Sequence, residues 1–322
     1  MRLKLVPQDT SWDFFKYRTL TFGFSVVMMV ASLVLWLSVG LNFGIDFRGG
    51  TTIRTQSEQP VDVGAYRDAI APLGLGDVSI SEVFDPSFAD DHHVAMIRIQ
   101  AQDGQESISA ETIAQVEQAL KPLDESVHFT QVESVGPKVS GELIQTAVLA
   151  VAAALAAILV YIWLRFEWQF SVGAVAALFH DVLVTIGIFS LLQIRFDLAT
   201  IAALLTIIGY SINDTVVIFD RLRENLRKYK TMPLKDVMNV SVNETLSRTL
   251  MTSGTTLIAL IALLVLGGDV IRGFVFAITW GVVIGTYSSV YVAKNIVLWL
   301  GVKRDWTKPT DTTGNQFANI DA

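Results

Sequence analysis

The sequence has no cysteine, only four histidines and eight prolines, and charged residues make up just 17% of its 322 positions. Without cysteine no disulfide framework can form. His92, His93 and His128 fall in one stretch, but no Cys/His/Asp ligand spacing surrounds them, which argues against a metal centre. The phosphate-loop pattern G-x-x-x-x-G-K-[ST] is missing, because GPKVSG at 136–141 lacks its spacing. No nucleophile–base set is evident either, so an enzyme is the least favoured class. Any energy input must come from elsewhere, and an ion gradient is the obvious source.

What the chain does have is apolar length: 52% of residues are hydrophobic and the mean hydropathy is +0.48. Crossing a hydrocarbon core of about 30 Å takes a run of about 20 apolar residues. Six such runs are expected as spans, at 22–41, 143–164, 170–192, 198–219, 249–266 and 274–300, the fifth being the weakest. The first is too long for a signal core and lacks a clear A-x-A cleavage site, so it reads as an uncleaved anchor. This divides the chain into an N-terminal segment 1–21, a first helix 22–41, a large loop 42–142, five further helices within 143–300, and a tail 301–322 read as disordered.

Lysine and arginine in short loops set the orientation. With the N-terminus inside, the inside segments carry fifteen of them, including seven from Arg221 to Arg248, whereas the two short outside loops hold only Arg195 and Arg272. Both termini are expected inside and segment 42–142 outside. Residues 42–140 carry sixteen acidic against six basic side chains. An acidic outer domain excludes nucleic acid as a partner, because that requires a basic surface.

Within the loop the hydrophobic period becomes that of a small soluble domain. Strands are expected at 51–56, 78–84, 93–100 and 127–135, and helices at 62–74 and 109–123, opened by Asp62 and Ser109. The order βαββαβ is that of a ferredoxin-like α+β domain.

Ionisable residues inside spans are costly and are functional candidates by default. Asp214 lies on span 4 with Asn213 beside it and Asp220 six residues on; His180 and Asp181 sit mid-span 3; Arg248 lies where span 5 begins. Tyr210 shares a helix face with Asp214. Thr245, Arg248, Thr252, Thr255 and Thr256 form one helical stripe that would carry the cation toward the bundle interior. A carboxylate opposite an arginine can be held ionised or released to bind a proton, which is the physics of a relay. The alternative is a permanent buried ion pair that only fixes packing. His180 and Asp181 are weaker relay candidates, and Asp220 is expected to mark the inner end of span 4 beside Arg221 and Arg223. In span 6, Gly281, Gly285 and Ser288 form a small-xxx-small packing surface, and Lys294 is expected to snorkel.

The motifs GIDFRGGT (44–51), VGPKVSGEL (135–143), ALFHD in span 3, GYSINDTVVIFDRLREN (209–225), NETLSRTLMTS (243–253) and GVVIGTYSSVYVA together closely resemble the SecF family, subunits of the bacterial Sec protein translocase. The resemblance runs in order over roughly 40–300. It implies an α-helical, six-span half of the resistance-nodulation-division superfamily with one ferredoxin-like periplasmic domain between helices 1 and 2. It further implies residence in the inner membrane, pairing with SecD, association with the SecYEG channel, YajC as a further candidate partner, and unfolded polypeptide as cargo. The proton gradient would replace any cofactor, with Asp214 and Arg248 at the family's intramembrane positions. A small-molecule or lipid exporter half of the same superfamily is the competing reading, and a purely structural membrane scaffold a third.

GIDFRGGT joins span 1 to the outer domain. Gly49 and Gly50 permit left-handed backbone, Asp46 and Arg48 are expected to pair at the membrane surface, and the segment from Gly44 reads as a hinge between bundle and outer domain.

Overall fold

The computed structural model describes residues 10–84, 93–101 and 108–302. His92, the terminal basic residues Arg2, Lys4, Lys303, Arg304 and Lys308, and the tail beyond 302 lie outside the described residues. Ten α-helices and six strands follow in chain order among the described residues: α1 (Arg18–Ser38), β1 (Asn42–Phe43), α2 (Ile45–Arg48), β2 (Gly50–Ser57), α3 (Val63–Ile70), β3 (Val78–Val83), β4 (His93–Gln100), α4 (Ala110–Leu120), β5 (His128–Val135), α5 (Pro137–Arg165), α6 (Trp168–Leu192), β6 (Arg195–Phe196), α7 (Leu198–Lys228), α8 (Leu234–Leu266), α9 (Asp269–Ser288) and α10 (Lys294–Leu300).

Six of these helical segments are long and apolar enough to cross a membrane: α1, α5, α6, α7, α8, and α9 continued into α10. Several exceed the apolar runs that announce them, α5 by starting at Pro137. α8 starts at Leu234, not 249, because its polar first turns pack through Val237, Met238 and Val242 on the neighbouring helices rather than on lipid. α7 continues past the apolar run to Lys228, where Leu222 and Leu226 join the same core. The sixth span begins at Asp269 and is interrupted by one π-turn, Ser289–Ala293. Such a turn is a single wide loop in the helical ladder and is common at functional sites.

Between lipid-exposed helices there is no hydrophobic drive to associate, so contact depends on small residues that let backbones approach. A Cβ on Gly281 would run into the side chain of Ile207, and one on Gly285 would lie 3.0 Å from Cβ of Ser211, so α7 and α9 touch along their small faces. A Cβ on Gly187 would meet Ser32 in the same way, seating α1 on α6. Tyr287 of α9 also holds α1, donating to the Thr21 carbonyl at 2.8 Å and meeting Ser25 Oγ at 3.0 Å.

The α/β domain is a four-stranded sheet in the order β3-β4-β2-β5, with every neighbouring pair antiparallel. Side chains alternate by face along each strand. Ile53, Ala95, Ile97 and Ile99 point to one side and form a core with Tyr66 and Ile70 of α3 and Val116 and Leu120 of α4. Asp62 caps α3 by accepting from Gly64 and Ala65 N–H, and Ser109 caps α4 by accepting from Thr112 N–H. The opposite face of the sheet looks toward the ends of α7 and α9.

The junction is a packed structure. β1 pairs in parallel with β6, with Asn42 opposite Arg195 and Phe43 opposite Phe196. Phe47, Phe189 and Phe196 close a small aromatic core beneath it. Gly49 and Gly50 follow with φ of +74° and +134°.

Candidate functional site

α7 begins at the end of the bundle that faces the α/β domain, where Asp197 closes a capping box with Thr200. At about 1.5 Å per residue, Asp214 lies roughly 24 Å along it, well inside an apolar span. Its carboxylate is buried, and its hydrogen bond is a long one, 3.4 Å from Ser253 Oγ of α8. Ser253 in turn meets Thr286 Oγ1 of α9 at 2.8 Å. One turn back on α7, Tyr210 donates to Thr256 of α8 at 3.4 Å. The face shared by Tyr210 and Asp214 is thus set against the hydroxyl-bearing face of α8.

The sequence stripe on α8 is only partly realised. Thr245 is buried, but Arg248 is exposed on the outer surface of this chain and forms no ion pair within 4.0 Å among the described residues. The expectation that it turns into the bundle is therefore corrected. The interior positions of α8 at this level are taken by Leu246, Thr249 and Ser253, and the small Ser253 leaves room for Asp214 that an arginine would fill. Arg248 remains within electrostatic reach of the carboxylate. Asn213 is likewise exposed and does not join the site.

His180 and Asp181 are fully buried and form a polar cluster that joins three helices. His180 Nδ1 lies 2.9 Å from Asp181 Oδ1, while Asp181 Oδ2 accepts from Ser211 Oγ at 2.7 Å and from Ser288 Oγ at 2.8 Å. Asp181 therefore ties α6 to α7 and α9. Directly below, Thr215 and Ser289 meet at 2.7 Å where the π-turn begins. Ser211, Thr215, Ser253 and Ser289 were not singled out from the sequence. Their signal was present as Ser211 three residues before Asp214, Thr215 directly after it, and the hydroxyls of GTYSS, but small polar residues in a span read equally well as packing.

Asp220, beside Arg221 and Arg223 in sequence, pairs with Arg165 of α5 at 3.1 Å; Arg221 is turned to Glu224 and Glu244. One further expectation is corrected. Lys294 does not snorkel. It is buried, its Nζ 3.4 Å from the Phe14 carbonyl and 4.2 Å from the centroid of Phe15.

At the junction, Asp46 does not pair with Arg48. Its Oδ2 accepts the Leu198 N–H at 3.0 Å, satisfying a first-turn donor of α7, while Arg48 stays exposed. Gly44 is buried against Arg195 and Phe196, and its N–H donates to the Phe196 carbonyl at 2.8 Å.

Comparison with known proteins matches this arrangement over its whole length. The profile of the family described as "Protein export membrane protein SecD/SecF, C-terminal" matches residues 115–303, and the "SecD/SecF GG Motif" matches residues 34–61. The chain is 72% identical to the protein translocase subunit SecF of Cereibacter sphaeroides over 321 residues, covering 100% of this chain and 99% of that protein. It is 41% identical to that of Escherichia coli O157:H7 over 300 residues, covering 91% and 89%. Among solved structures it superposes on SecDF, a translocon-associated membrane protein from Thermus thermophilus, with a TM-score of 0.81 at 35% identity over 92% of this chain. It also matches SecDF in a super-membrane-facing form, with a TM-score of 0.67 at 35% identity over 91% of this chain. In both cases it spans only 39% of the longer SecDF chain. With its six apolar helices it is a multi-pass membrane protein, and it belongs to the SecF family of protein translocase subunits.

Proposed function

We propose that this chain is the SecF half of a SecD–SecF unit that uses the proton motive force to assist protein export across the bacterial inner membrane, with Asp214 and Arg248 carrying the proton-linked step. The observation that carries the reading is the contrast between the two. Among the described residues, Asp214 is an intramembrane carboxylate with one long hydrogen bond, and Arg248 is a nearby cation facing outward without an ion-pair partner. A charged side chain at the edge of an apolar span still favours a partner over lipid. A second membrane subunit covering the outer face of α8 would supply that partner and bring further titratable groups to Asp214. The longer SecDF chains, of which this one matches 39%, support SecD as that subunit.

In this reading both termini are cytoplasmic and segment 42–142 is a periplasmic, ferredoxin-like domain, a reading supported by the strand order β3-β4-β2-β5 with helices on one face. The SecYEG channel and YajC are its partners in the translocase, an unfolded polypeptide is the cargo, and the proton gradient stands in place of a cofactor. The Gly44–Gly50 segment joins the two bodies, and Gly49→Val with Gly50→Val is expected to impair export.

The test is export of a secreted reporter in cells whose only copy is Asp214→Asn, with protein level and SecD copurification measured alongside. Normal assembly with export reduced to the level of a deletion supports the proton-linked role. Intact export removes Asp214 as an essential carrier. Failure of SecD and SecYEG to copurify with the wild-type chain would instead favour an exporter half acting on small molecules or lipid.

A further inference from the structure

The face of the sheet not covered by α3 and α4 stands over the ends of α7 and α9 and encloses a cavity of about 520 Å³ lined by Met96, Arg98, Arg195, Asp197, Val270 and Phe274, among others. A second cavity of about 230 Å³ shares Met96, Arg195, Asp197 and Val270 with it, so the two are lobes of one space. Arg98 belongs to β4, and Arg195 to β6 between α6 and α7. The space is bounded by both bodies of the molecule.

Its charges are unevenly satisfied. Arg98 Nη2 approaches Met96 Sδ at 3.1 Å and Arg195 Nη1 approaches the same sulfur at 3.8 Å. A thioether is a weak acceptor, so two guanidinium groups converge on an atom that balances neither. The Nε of each is buried with no hydrogen-bond acceptor among the described residues. Of the nearby acids Asp197 alone turns an oxygen to these cations among the described residues: its Oδ1 accepts from Thr200, and its Oδ2 makes a long ion pair with Arg195 Nε at 3.7 Å. Asp269 holds the Phe84 N–H at 2.6 Å and pairs with Arg272, and Glu82 lies 3.3 Å from His93. Burial, and then the like charge of Arg195, pull the Arg98 guanidinium down to about 10, still cationic at neutral pH. Glycine at position 44 lets the Arg195 side chain pass close to the backbone, since a Cβ there would lie 3.0 Å from Arg195 Nε.

Two convergent guanidinium forks match the oxygens of a phosphate group. Apolar side chains at the ends of the spans, Ile194, Leu264, Val270, Phe274 and Phe276, line the same cavity and suit acyl chains. We propose that this cavity binds the phosphate of an anionic phospholipid between Arg98 and Arg195. The bound headgroup bridges the α/β domain to the bundle and gives the two guanidinium groups the acceptors that the Met96 sulfur does not.

The test uses the full chain purified in a neutral detergent, with native mass spectrometry and thermal unfolding in the presence of phosphatidylglycerol, phosphatidylcholine or inorganic phosphate alone. Wild type is expected to retain phosphatidylglycerol at least about tenfold better than phosphatidylcholine, as hydrogen bonds to charged groups contribute enough for that ratio. The double variant Arg98→Gln, Arg195→Gln should lose the preference, while Lys121→Gln, on the helix side of the domain, keeps it. Should the double variant not fold, Arg98→Lys keeps the charge, loses the fork, and is expected to weaken retention severalfold. Stabilisation of wild type by inorganic phosphate alone, lost in the arginine variants and without a lipid preference, overturns the lipid as source and leaves a free anion. Equal retention of the two lipids by wild type, with no response to phosphate, or a preference unchanged in the variants, overturns the site itself.

Discussion

Nζ of Lys294 stands 4.2 Å from the centroid of the Phe15 ring, bringing the end of the sixth span against a segment that precedes the first. That segment is anchored on α8: Trp12 and Phe14 N–H donate to Asn243 and Asn239 at 2.9 Å each, and both asparagine amides return to the Trp12 carbonyl. Phe15 is 2% exposed in the largest core cluster of the bundle. Phe15→Ala therefore removes both a core side chain and an aromatic wall beside an amine. It should destabilise the purified chain by about 3–5 kcal/mol. Lys294→Met, which fills the same space without the amine, should unfold at or above the wild-type temperature. A Phe15→Ala chain that melts like wild type would show that the segment is not held there.

Gly50 offers a sharper test of the junction. At φ +134° a side chain is strained, and a Cβ would meet the Ile99 carbonyl oxygen across the β2–β4 ladder. Gly50→Ala should cost about 1–3 kcal/mol, the range for a residue forced into a sparsely allowed backbone region. Thermal unfolding checks it, and Gly74→Ala, also at positive φ but with open space around it, should cost less.

These contacts mark where the sequence was readable and where it was not. Helices and strands were legible because apolar length and alternation are local properties, and Asp214, His180 and Asp181 stood out because charge inside a span is conspicuous. The surroundings of Lys294 were not legible, since its partner Phe14 lies 280 positions away. Arg248 misled for a related reason: helical spacing defines a face of α8, but only packing decides which face turns inward. The Asp46–Arg48 pairing failed because a helix start 152 residues downstream offered the carboxylate an N–H donor.

That capping role predicts a specific hierarchy. Asp46→Ala leaves the Leu198 N–H without its carboxylate and should cost about 1 kcal/mol, as loss of a helix cap does. Asp46→Asn keeps a carbonyl oxygen in place and should cost less, and Arg48→Ala should be nearly neutral. Unfolding temperatures for the three decide it. Equal losses for Asp46→Ala and Arg48→Ala would restore the surface ion pair.

Acid should weaken the α/β domain through Asp124. The Ser126 hydroxyl, 2.7 Å away, is the main reason this carboxyl titrates below its usual range, with backbone N–H groups of Ser126 and Gln59 adding to it. A folded-state value below the unfolded one means stability present above the unfolded value of about 3.9 and lost as pH falls through the folded one. Melting followed by circular dichroism should be insensitive to this group from neutral pH down to about 5 and then decline. The decline should be smaller in Asp124→Asn, and the same acid response in both chains would assign it to other groups.

The two intramembrane aspartates should separate cleanly. Asp181 accepts two short hydrogen bonds from Ser211 and Ser288 and contacts His180, so three helices depend on it. Removing a partner from such a buried set leaves donors unsatisfied, at about 1–3 kcal/mol each. Asp214 makes one bond of 3.4 Å to Ser253, itself already engaged with Thr286. Asp181→Ala should therefore lower the unfolding temperature markedly, and Asp214→Asn should leave it close to wild type, even where export is lost. A large stability loss in Asp214→Asn would mean that this carboxylate is a structural fixture, and any export defect of that variant would then report misfolding rather than a missing proton carrier.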